Sequence, residues 1–448
     1  MPWTTPNYRP DTYYKYWEVD MFEYVGSGTS YFKLMYQESY RPENLDVFAR
    51  TYGALNGTHN HKVSLLYNAF TERRTGPRIK ENYAKYLHSI HADSGGLQII
   101  TLGKQITPEL KEEIYANQAL NSDIAMCFDM IPVRVLSDRS ERLDLENRRF
   151  DPEMLEACAR ETGKNLRRQI DHFDEKKSQA RPMLITQGNC YDTYMKWVEY
   201  VVAELSDYHV SRIGGIAMGA AALGKGPLED IKRAFYFTQL PINLESKHLH
   251  LLGVGSVYRM IPNIVFIQNG LYEGVQLSYD STTHTSGVTQ GRYYISGNKV
   301  LNGKYRHNDY QMTFNRVFDD NYRIIWEDIT EMYPFMNRYS LETFYEVLQI
   351  SARDYEEKHG NIDPSIQIYI AYVAACINNF IKHVERVSES RQNLIDFAKG
   401  SDKNAFAFLY DIKTTADFDN WLRHIGSTIE SEPVKVMSSQ FNLEELFA

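Results

Sequence analysis

The chain has 448 residues, of which 43% are hydrophobic and 24% are charged, and its formal net charge is −9. This composition is typical of a globular protein, and the length exceeds what one small hydrophobic core needs. The acidic balance excludes a global basic signature of nucleic-acid binding, so a polyanion would have to be bound by a local basic patch.

Targeting and redox signals are sparse. The N-terminus lacks a signal-peptide pattern, and no apolar run is judged long enough to cross a bilayer. The cysteines are far apart in sequence and suit a reducing compartment: Cys127, Cys158, Cys190 and Cys376. We therefore expect a cytoplasmic protein without a membrane partner.

Residues 1–60 are rich in tyrosine and turn residues and show no clean periodicity. They predict an irregular N-terminal layer, such as a small hairpin packed on the main domain. From residue 61 onward, short apolar runs alternate with helical patterns. The runs predict strands at 63–70, 91–102, 124–130, 182–188, 210–219, 248–255 and 275–280.

Helices are predicted between these strands from capping signals and periodicity. Thr107 and Pro108 begin one helix, and Asp151 followed by Pro152 begins a long amphipathic one that reaches about Phe173. Further helices are predicted at 191–205, from 227, and at 257–268. Strands that alternate with helices indicate repeated βα units, and seven such strands by residue 280 predict a (β/α)8 TIM barrel.

The barrel is predicted over residues 61–310, with its eighth strand near 299–305. Residues 311–338 are aromatic and acidic without a clear period, and residues 339–448 predict a C-terminal helical region. Helix starts are predicted at Ser340 and at Asp363 with Pro364.

Several predicted strands end in a polar side chain, which is where a TIM barrel places its chemistry. Asp93, Asp129, Gln187 and Asp280 occupy such positions, and Asp93 is followed by a serine and a glycine pair. Ordinary solvated or barrel-rim polar residues are the alternative at each position. A basic segment follows Asp129 and predicts either a solvated loop or a phosphate-binding loop; its arginines are Arg134, Arg139, Arg142, Arg148 and Arg149.

The strand-end segments resemble motifs of the queuine tRNA-guanine transglycosylase superfamily, in the order in which that family carries them. The family motifs are DSGG(F/Y)Q, FDE, QGG, GGLAVGE, LMGVG and FDC. The corresponding segments of this chain lie at 93–98, 128–129, 186–188, 214–219, 252–255 and 279–280, and residues 291–306 resemble the stretch that follows. Each motif alone is weak, and their order over roughly residues 60–310 carries the resemblance.

The resemblance implies a base exchange in a polynucleotide through a covalent intermediate. Asp280 would be the nucleophile that attacks the anomeric carbon of the sugar, and Asp93 would be the general acid and base. The base would be bound by side chains, backbone groups and an aliphatic sandwich contributed by Asp129, Gln187, Gly215, Ile216, Ser94, Leu97 and Leu252. An amide and a carboxylate that read a flipped purine form a physically sensible pocket.

The chain also departs from the family pattern. Leu97 replaces an aromatic residue and Leu252 replaces a methionine, so base stacking would be aliphatic. Ala220 replaces the glutamate of GGLAVGE, which favours a cyano- or otherwise substituted deazaguanine over an aminomethyl one. Thr-His-Thr around His284 replaces the family's PTR. Residues 311–338 contain no cysteine where the family has CxCxxC, so we expect no zinc and no other cofactor.

Histidines near these segments admit more than one interpretation. His284 could contact a phosphate or a base, or it could be a solvent-facing loop residue. His248 and His250 alternate along a predicted strand, from which we expect that they do not share a face with each other and a neighbouring ligand in a metal site, and that neither binds a metal.

The segment without zinc ligands and the altered segment around His284 look less like the tRNA enzymes and more like the DNA-guanine transglycosylases of phages and bacterial islands, which place 7-deazaguanines in DNA. The sequence predicts exchange of guanine in DNA for a preQ0-like base, with host cytoplasm as the location for a phage-encoded protein. The candidate DNA contacts are Arg134, Arg139, Arg148, Arg149 and His284. A divergent tRNA enzyme and a non-catalytic nucleic-acid-binding subunit are the alternatives, and a homodimer or a partner subunit stays open.

Overall fold

The computed structural model describes residues 22–27, 41–58, 61–96, 99, 105–135, 148–219, 227–244, 247–285, 287–288, 292–295, 311–313, 320–398, 400 and 402–426. Within these residues the strands are β1 (Phe22–Gly26), β2 (Lys62–Asn68), β3 (Ile90–Asp93), β4 (Ile124–Met126), β5 (Val133–Val135), β6 (Arg148–Phe150), β7 (Arg181–Thr186), β8 (Gly215–Met218), β9 (His248–Leu251), β10 (Gln276–Ser281), β11 (Arg292–Tyr294) and β12 (Gln311–Thr313).

The α-helices of the same part of the chain are α1 (Pro42–Thr58), α2 (Thr75–Asn82), α3 (Pro108–Asn121), α4 (Leu155–Glu175), α5 (Tyr191–Val202), α6 (Asp207–Ser211), α7 (Pro227–Phe237), α8 (Val257–Gln268), α9 (Asp320–Met332), α10 (Leu341–Gln349), α11 (Ala352–His359), α12 (Asp363–Ser388), α13 (Arg391–Phe397), α14 (Asp402–Leu409) and α15 (Thr415–His424).

Eight parallel strands close into a barrel in the order β1, β10, β9, β8, β7, β4, β3, β2, with helices between them in sequence. The predicted (β/α)8 TIM barrel is therefore confirmed. Because all eight strands run in the same direction, their carboxyl ends lie at one end of the barrel. The other two sheets are antiparallel pairs, β5 with β6 and β11 with β12.

The eighth strand was predicted at the wrong end of the chain. It is β1, which lies within residues 1–60 and pairs with both β10 and β2. Residues 299–305 lie outside the described residues, and closure of the barrel does not require them. The expected irregular N-terminal layer is corrected accordingly, since this region supplies a barrel strand and the 17-residue helix α1.

The side chains of β1 explain why this strand closes the barrel. Tyr24 is fully buried and contacts Tyr279, His284 and Phe380, so it joins the barrel wall to helix α12. Its hydroxyl is 2.7 Å from Nδ1 of His284. The burial and the aromatic contacts together stabilise a strand that is only five residues long.

The predicted helix start at Thr107 is confirmed at its cap, since the hydroxyl of Thr107 accepts a hydrogen bond from the amide of Leu110 at 3.2 Å. Asp151 accepts a hydrogen bond from the amide of Glu153 at 3.0 Å, but it caps a short 3-10 turn, Pro152–Met154, that directly precedes α4. One strand prediction was wrong in part. The run 210–219 enters the sheet only at Gly215, because Ser206 caps helix α6 and holds the preceding residues helical.

Helix α12 is the centre of the C-terminal region. By length and hydropathy it could cross a membrane, contrary to the expectation from sequence, and it is the only such helix among the described residues. Its most apolar window is 94% buried against the rest of the protein. That burial is typical of a core helix.

We predict that Tyr24→Ala will lower the free energy of unfolding by about 3–5 kcal/mol, the usual cost of removing a large buried aromatic side chain. Leu120→Ala is the control, since Leu120 is 64% exposed and should change stability by less than about 0.5 kcal/mol. Chemical denaturation measures both. A Tyr24→Ala protein as stable as the control variant would contradict the role assigned to β1.

Candidate active site

The carboxyl ends of the barrel strands bring together most of the side chains singled out from the sequence. Asp93 is the last residue of β3, and Asp280 lies one residue before the end of β10. Gln187 directly follows β7, and Asp129 lies three residues beyond β4. Three carboxyl groups and one amide therefore belong to one end of the barrel.

Asp280 is 7% exposed and is surrounded by hydrogen-bond donors. The amide of Gly253 donates to Oδ1 at 2.7 Å, and the hydroxyl of Ser27 donates to Oδ2 at 2.7 Å. Nε2 of His250 lies 3.5 Å from Oδ1. Burial alone would raise the pKa of Asp280, but His250, Gly253 and Ser27 outweigh it and hold the pKa below its ordinary value. Asp280 is thus a carboxylate at neutral pH.

Asp93 has the opposite protonation preference. Burial, with the nearby carboxylates of Asp129 and Asp280, raises the pKa of Asp93 to about 7 against the partial compensation of backbone hydrogen bonds. Nδ2 of Asn68 donates to Oδ2 of Asp93 at a long 3.3 Å. At neutral pH Asp93 therefore holds a proton for a substantial fraction of the time.

Asn68 is oriented by its own turn. Its Oδ1 accepts hydrogen bonds from the amides of Phe70 at 3.0 Å and Thr71 at 2.9 Å. Because these two donors occupy the oxygen, the NH2 group has to face Asp93. The sequence analysis did not identify Asn68, although an asparagine directly before a turn is a signal for this arrangement.

Asp129 and Gln187 form a buried pair. Nε2 of Gln187 donates to Oδ2 of Asp129 at 2.8 Å, and the two residues are 1% and 6% exposed respectively. Burial raises the pKa of Asp129 to about 6, and the amide of Gln187 limits the rise. Oε1 of Gln187 is buried without a hydrogen-bond partner among the described residues. The pair thus has unused acceptor capacity that a ligand with N–H groups could fill.

Gly215 and Ile216 do not lie where the sequence analysis placed them. They begin β8, whereas the other candidate residues lie at strand ends, and Gly215 is roughly 13 Å before Gly219 at about 3.3 Å per residue. A Cβ at Gly215 would lie 2.3 Å from the carbonyl oxygen of His248, so this glycine permits close packing of β8 against β9. Their predicted role in closing a base pocket is therefore wrong.

The residue at the carboxyl end of β8 is Gly219. Its amide donates to the carbonyl of Thr186 at 3.1 Å, and a Cβ there would lie 2.6 Å from Nε2 of Gln187. Gly219 thus leaves room for the Gln187 side chain. The sequence pattern could not separate it from Gly214 and Gly215, because all three glycines flank the same three apolar positions, 216–218.

The remaining candidates for the base site fall in different places. Ser94 directly follows β3 and is 1% exposed, and Leu252 follows β9 and is partly buried. Leu97 lies outside the described residues. Ser94 and Leu252 are therefore at the correct end of the barrel.

The candidate DNA contacts are only partly described. Arg134 pairs with Arg149 in the backbone register of the β5–β6 hairpin, which follows β4 and Asp129 in sequence. Arg148 belongs to the same hairpin, and Arg139 lies outside the described residues.

His284 is not a surface residue. It is 1% exposed, lies among Tyr24, Tyr294 and Phe380, and burial lowers its pKa to about 3. The solvent-facing interpretation is wrong. A nucleic-acid contact is also unsupported, because the ring is enclosed between the barrel and α12.

Below the strand ends, the barrel interior contains a set of polar side chains that the sequence analysis missed. Glu23 accepts hydrogen bonds from Ser64 and lies 2.9 Å from Nε2 of His91. On the other side, Oγ of Ser278 lies 2.7 Å from Nε2 of His248 and 2.8 Å from Nδ1 of His250. Such buried polar groups are costly unless they are hydrogen-bonded.

The geometry of His248 and His250 corrects the expectation that they do not share a face. Residues two apart on a strand point to the same side, and both rings contact one serine. A spacing of two residues along a strand was therefore the sequence signal for polar side chains on one face. The same spacing recurs in His91 before Asp93 and in Ser278 before Asp280.

The described residues include no group of three or more histidine, cysteine or acidic side chains arranged to hold a metal ion. The expected lack of zinc and of other cofactors stays a prediction.

We predict that the Asp93 carboxyl, followed by 13C NMR and assigned with Asp93→Asn, titrates near pH 7 rather than at the ordinary 3.8. Asp129→Asn removes a neighbouring negative charge and should move the midpoint down. Asp419→Asn, an exposed acid on α15, should leave it unchanged. A wild-type midpoint at the ordinary value would contradict the environment described for Asp93.

Comparison of the chain with protein-family models and with curated proteins returns no match. The arrangement and the protonation states of these residues are therefore what indicates an activity.

Proposed function

We propose that the protein is a guanine transglycosylase that exchanges guanine in DNA for a 7-deazaguanine base of the preQ0 type. The observation that carries the proposal is the opposite pKa shifts of two carboxyl groups at one end of the barrel, lowered for Asp280 and raised for Asp93. Neighbouring carboxyls in different protonation states are what retaining glycosyl transfer requires.

In the first half-reaction, Asp280 acts as the nucleophile. One oxygen of its carboxylate forms a bond to the anomeric carbon of the sugar, and the bond from that carbon to the guanine nitrogen breaks. The proton of Asp93 passes to the departing guanine, which leaves neutral. The products are a glycosyl ester on Asp280 and an ionised Asp93.

The second half-reaction reverses these roles. Asp93 accepts a proton from the incoming base, whose nitrogen attacks the anomeric carbon. The ester bond breaks, and the carboxylate of Asp280 is regenerated. A pKa of about 7 for Asp93 suits this alternation, because proton donation and proton acceptance are then both accessible at neutral pH.

Base recognition is assigned to the Asp129–Gln187 pair. A guanine-like base presents N–H donors and a carbonyl acceptor on one edge, and the pair offers carboxylate and amide oxygens together with an amide donor. Gly219 lies beside Gln187, and Leu252 lies at the same end of the barrel after β9; neither would add an aromatic ring to stack on the base. Ser94 lies next to Asp93 and lines the same end.

We choose DNA over tRNA as the substrate because this sequence lacks motifs that the tRNA enzymes have. The cysteine cluster is absent from residues 311–338, and the segment around His284 is buried against α12. The basic hairpin that contains Arg134 and Arg149 would supply phosphate contacts, and binding would then weaken steeply with salt. Placing one base in the barrel requires it to leave the stack, at a cost of a few kcal/mol.

The alternatives are a divergent tRNA enzyme and a non-catalytic nucleic-acid-binding subunit. A subunit without activity has no need for a buried carboxylate held ionised by two hydrogen-bond donors and a nearby histidine. The environment of Asp280 therefore favours an enzyme.

We predict that the protein incorporates labelled 7-deazaguanine base, or labelled guanine, into DNA faster than into tRNA when the two are assayed side by side. The physical reason is the absence of the segments that the resemblance associates with tRNA docking. Exchange into tRNA that equals or exceeds exchange into DNA would refute the choice of substrate without affecting the chemistry.

We predict that Asp93→Asn slows guanine release by roughly 100- to 10,000-fold while DNA binding persists, because only proton donation is lost. In the wild type, guanine release should fall as pH rises through about 7, since Asp93 loses its proton there. The variant should lack this alkaline decline. Asp419→Asn, remote on α15, should behave as wild type, and a wild-type rate that rises through pH 7 would argue against Asp93 as the acid.

A further inference from the structure

The amide of Gly253 restricts the hydrogen-bonding state of Asp280. This amide donates to Oδ1 of Asp280 at 2.7 Å, so Oδ1 is an acceptor, and the lowered pKa of Asp280 leaves the carboxyl ionised at neutral pH. Nε2 of His250 lies 3.5 Å from the same oxygen. Two acceptors facing each other would repel, so the attractive arrangement requires a hydrogen on Nε2 of His250.

This requirement determines the positions of the protons farther into the barrel. Burial lowers the pKa of His250, so the ring is neutral near pH 7 and a proton on Nε2 leaves Nδ1 as an acceptor. Oγ of Ser278 lies 2.8 Å from that Nδ1 and must donate its only proton to it. Ser278 can then only accept from Nε2 of His248, which lies 2.7 Å away. The hydrogen bonds thus run in one direction, from His248 through Ser278 to His250, and the 3.5 Å contact between Nε2 of His250 and Oδ1 of Asp280 continues the chain.

We propose that His250 is a positioning residue for Asp280, with its Nε2–H tautomer fixed by Ser278 and His248. It donates to Oδ1, fixes the rotation of the carboxylate and keeps it ionised for attack on the sugar. The role in attack rests on the proposed function, whereas the tautomer and its effect on Asp280 do not.

The groups that face His250 are consistent with this assignment. Asp280 and Ser278 come from β10, His248 from its own strand, and the ring of His91 lies 5.4 Å away between centroids. Oε1 of Glu23 on β1 lies 2.9 Å from Nε2 of His91, with which it forms a hydrogen bond. Asp280 is therefore the acceptor on the strand-end side of His250, and no second carboxylate is in bonding contact with the ring among the described residues.

The test measures protonation directly, with 15N-histidine NMR for the tautomer and 13C-carboxyl NMR for Asp280. Wild-type His250 should be the Nε2–H tautomer at neutral pH. His250→Leu removes the donor and should raise the titration midpoint of Asp280 by roughly one pH unit. His250→Gln can place an amide donor near Oδ1 and should return the titration midpoint of Asp280 most of the way to its wild-type value.

Two further variants test the same assignment if His250→Leu fails to fold. Ser278→Ala leaves Nδ1 without its donor, so the His250 signal should change from one tautomer to a mixture. His383→Leu removes a buried histidine on α12, outside the barrel, and should leave Asp280 unchanged. An Nδ1–H tautomer of His250 in the wild type would overturn the assignment. So would a titration midpoint of Asp280 that is the same in the wild type and in both His250 variants.

Base exchange is measured on the same variants. If wild-type protein exchanges no base but the NMR results hold, the proposed function fails and the positioning of Asp280 stands. If exchange occurs, its rate should fall at low pH as Asp280 gains a proton. If this fall has the same midpoint in wild type and in His250→Leu, the positioning role fails and the function stands.

Discussion

A carboxylate buried inside a β-barrel is the constraint on which the rest of the structure depends. Moving such a group out of water costs several kcal/mol unless donors replace the lost hydration. For Asp280 the donors come from both neighbouring strands: Ser27 follows β1, while His250 and Gly253 belong to β9 and its turn. Closure of the barrel by an N-terminal strand is therefore also a requirement of the site, because without β1 the carboxylate loses the donor on one side.

The two carboxyl groups of the proposed mechanism differ in protonation because their neighbours differ. Asp280 is in contact with donors, so its pKa stays low despite burial. For Asp93, burial and the nearby carboxylates outweigh backbone hydrogen bonds and the long hydrogen bond from Asn68, so its pKa rises to about 7. In the proposed mechanism the same residue type would thus serve as nucleophile and as acid at one pH, which is the pattern that environment imposes in other carboxylate pairs.

The barrel and its strand-end acids could be predicted from sequence, because apolar runs that end in polar residues repeat with helical patterns between them. The β1 strand could not, since Phe22–Gly26 is too short to show a period and its role depends on pairing with a strand some 250 residues away, as the 253-residue separation of Ser27 and Asp280 shows. Gly215 was misplaced because glycine pairs look alike whichever end of a strand they occupy. The polar contacts of His250 in the barrel interior could not be predicted either, because they join side chains on different strands, and the sequence of one strand does not give the distance to another.

The central claim is that Asp280 forms a covalent bond to the sugar, and the most direct measurement locates that bond. The protein is mixed with a DNA substrate, quenched in acid without added base, and digested for mass spectrometry of the trapped species. We expect a glycosyl ester on the peptide that contains Asp280, and its loss when 7-deazaguanine base is added before the quench. An adduct on another residue, or base exchange that continues in Asp280→Asn, would contradict the account.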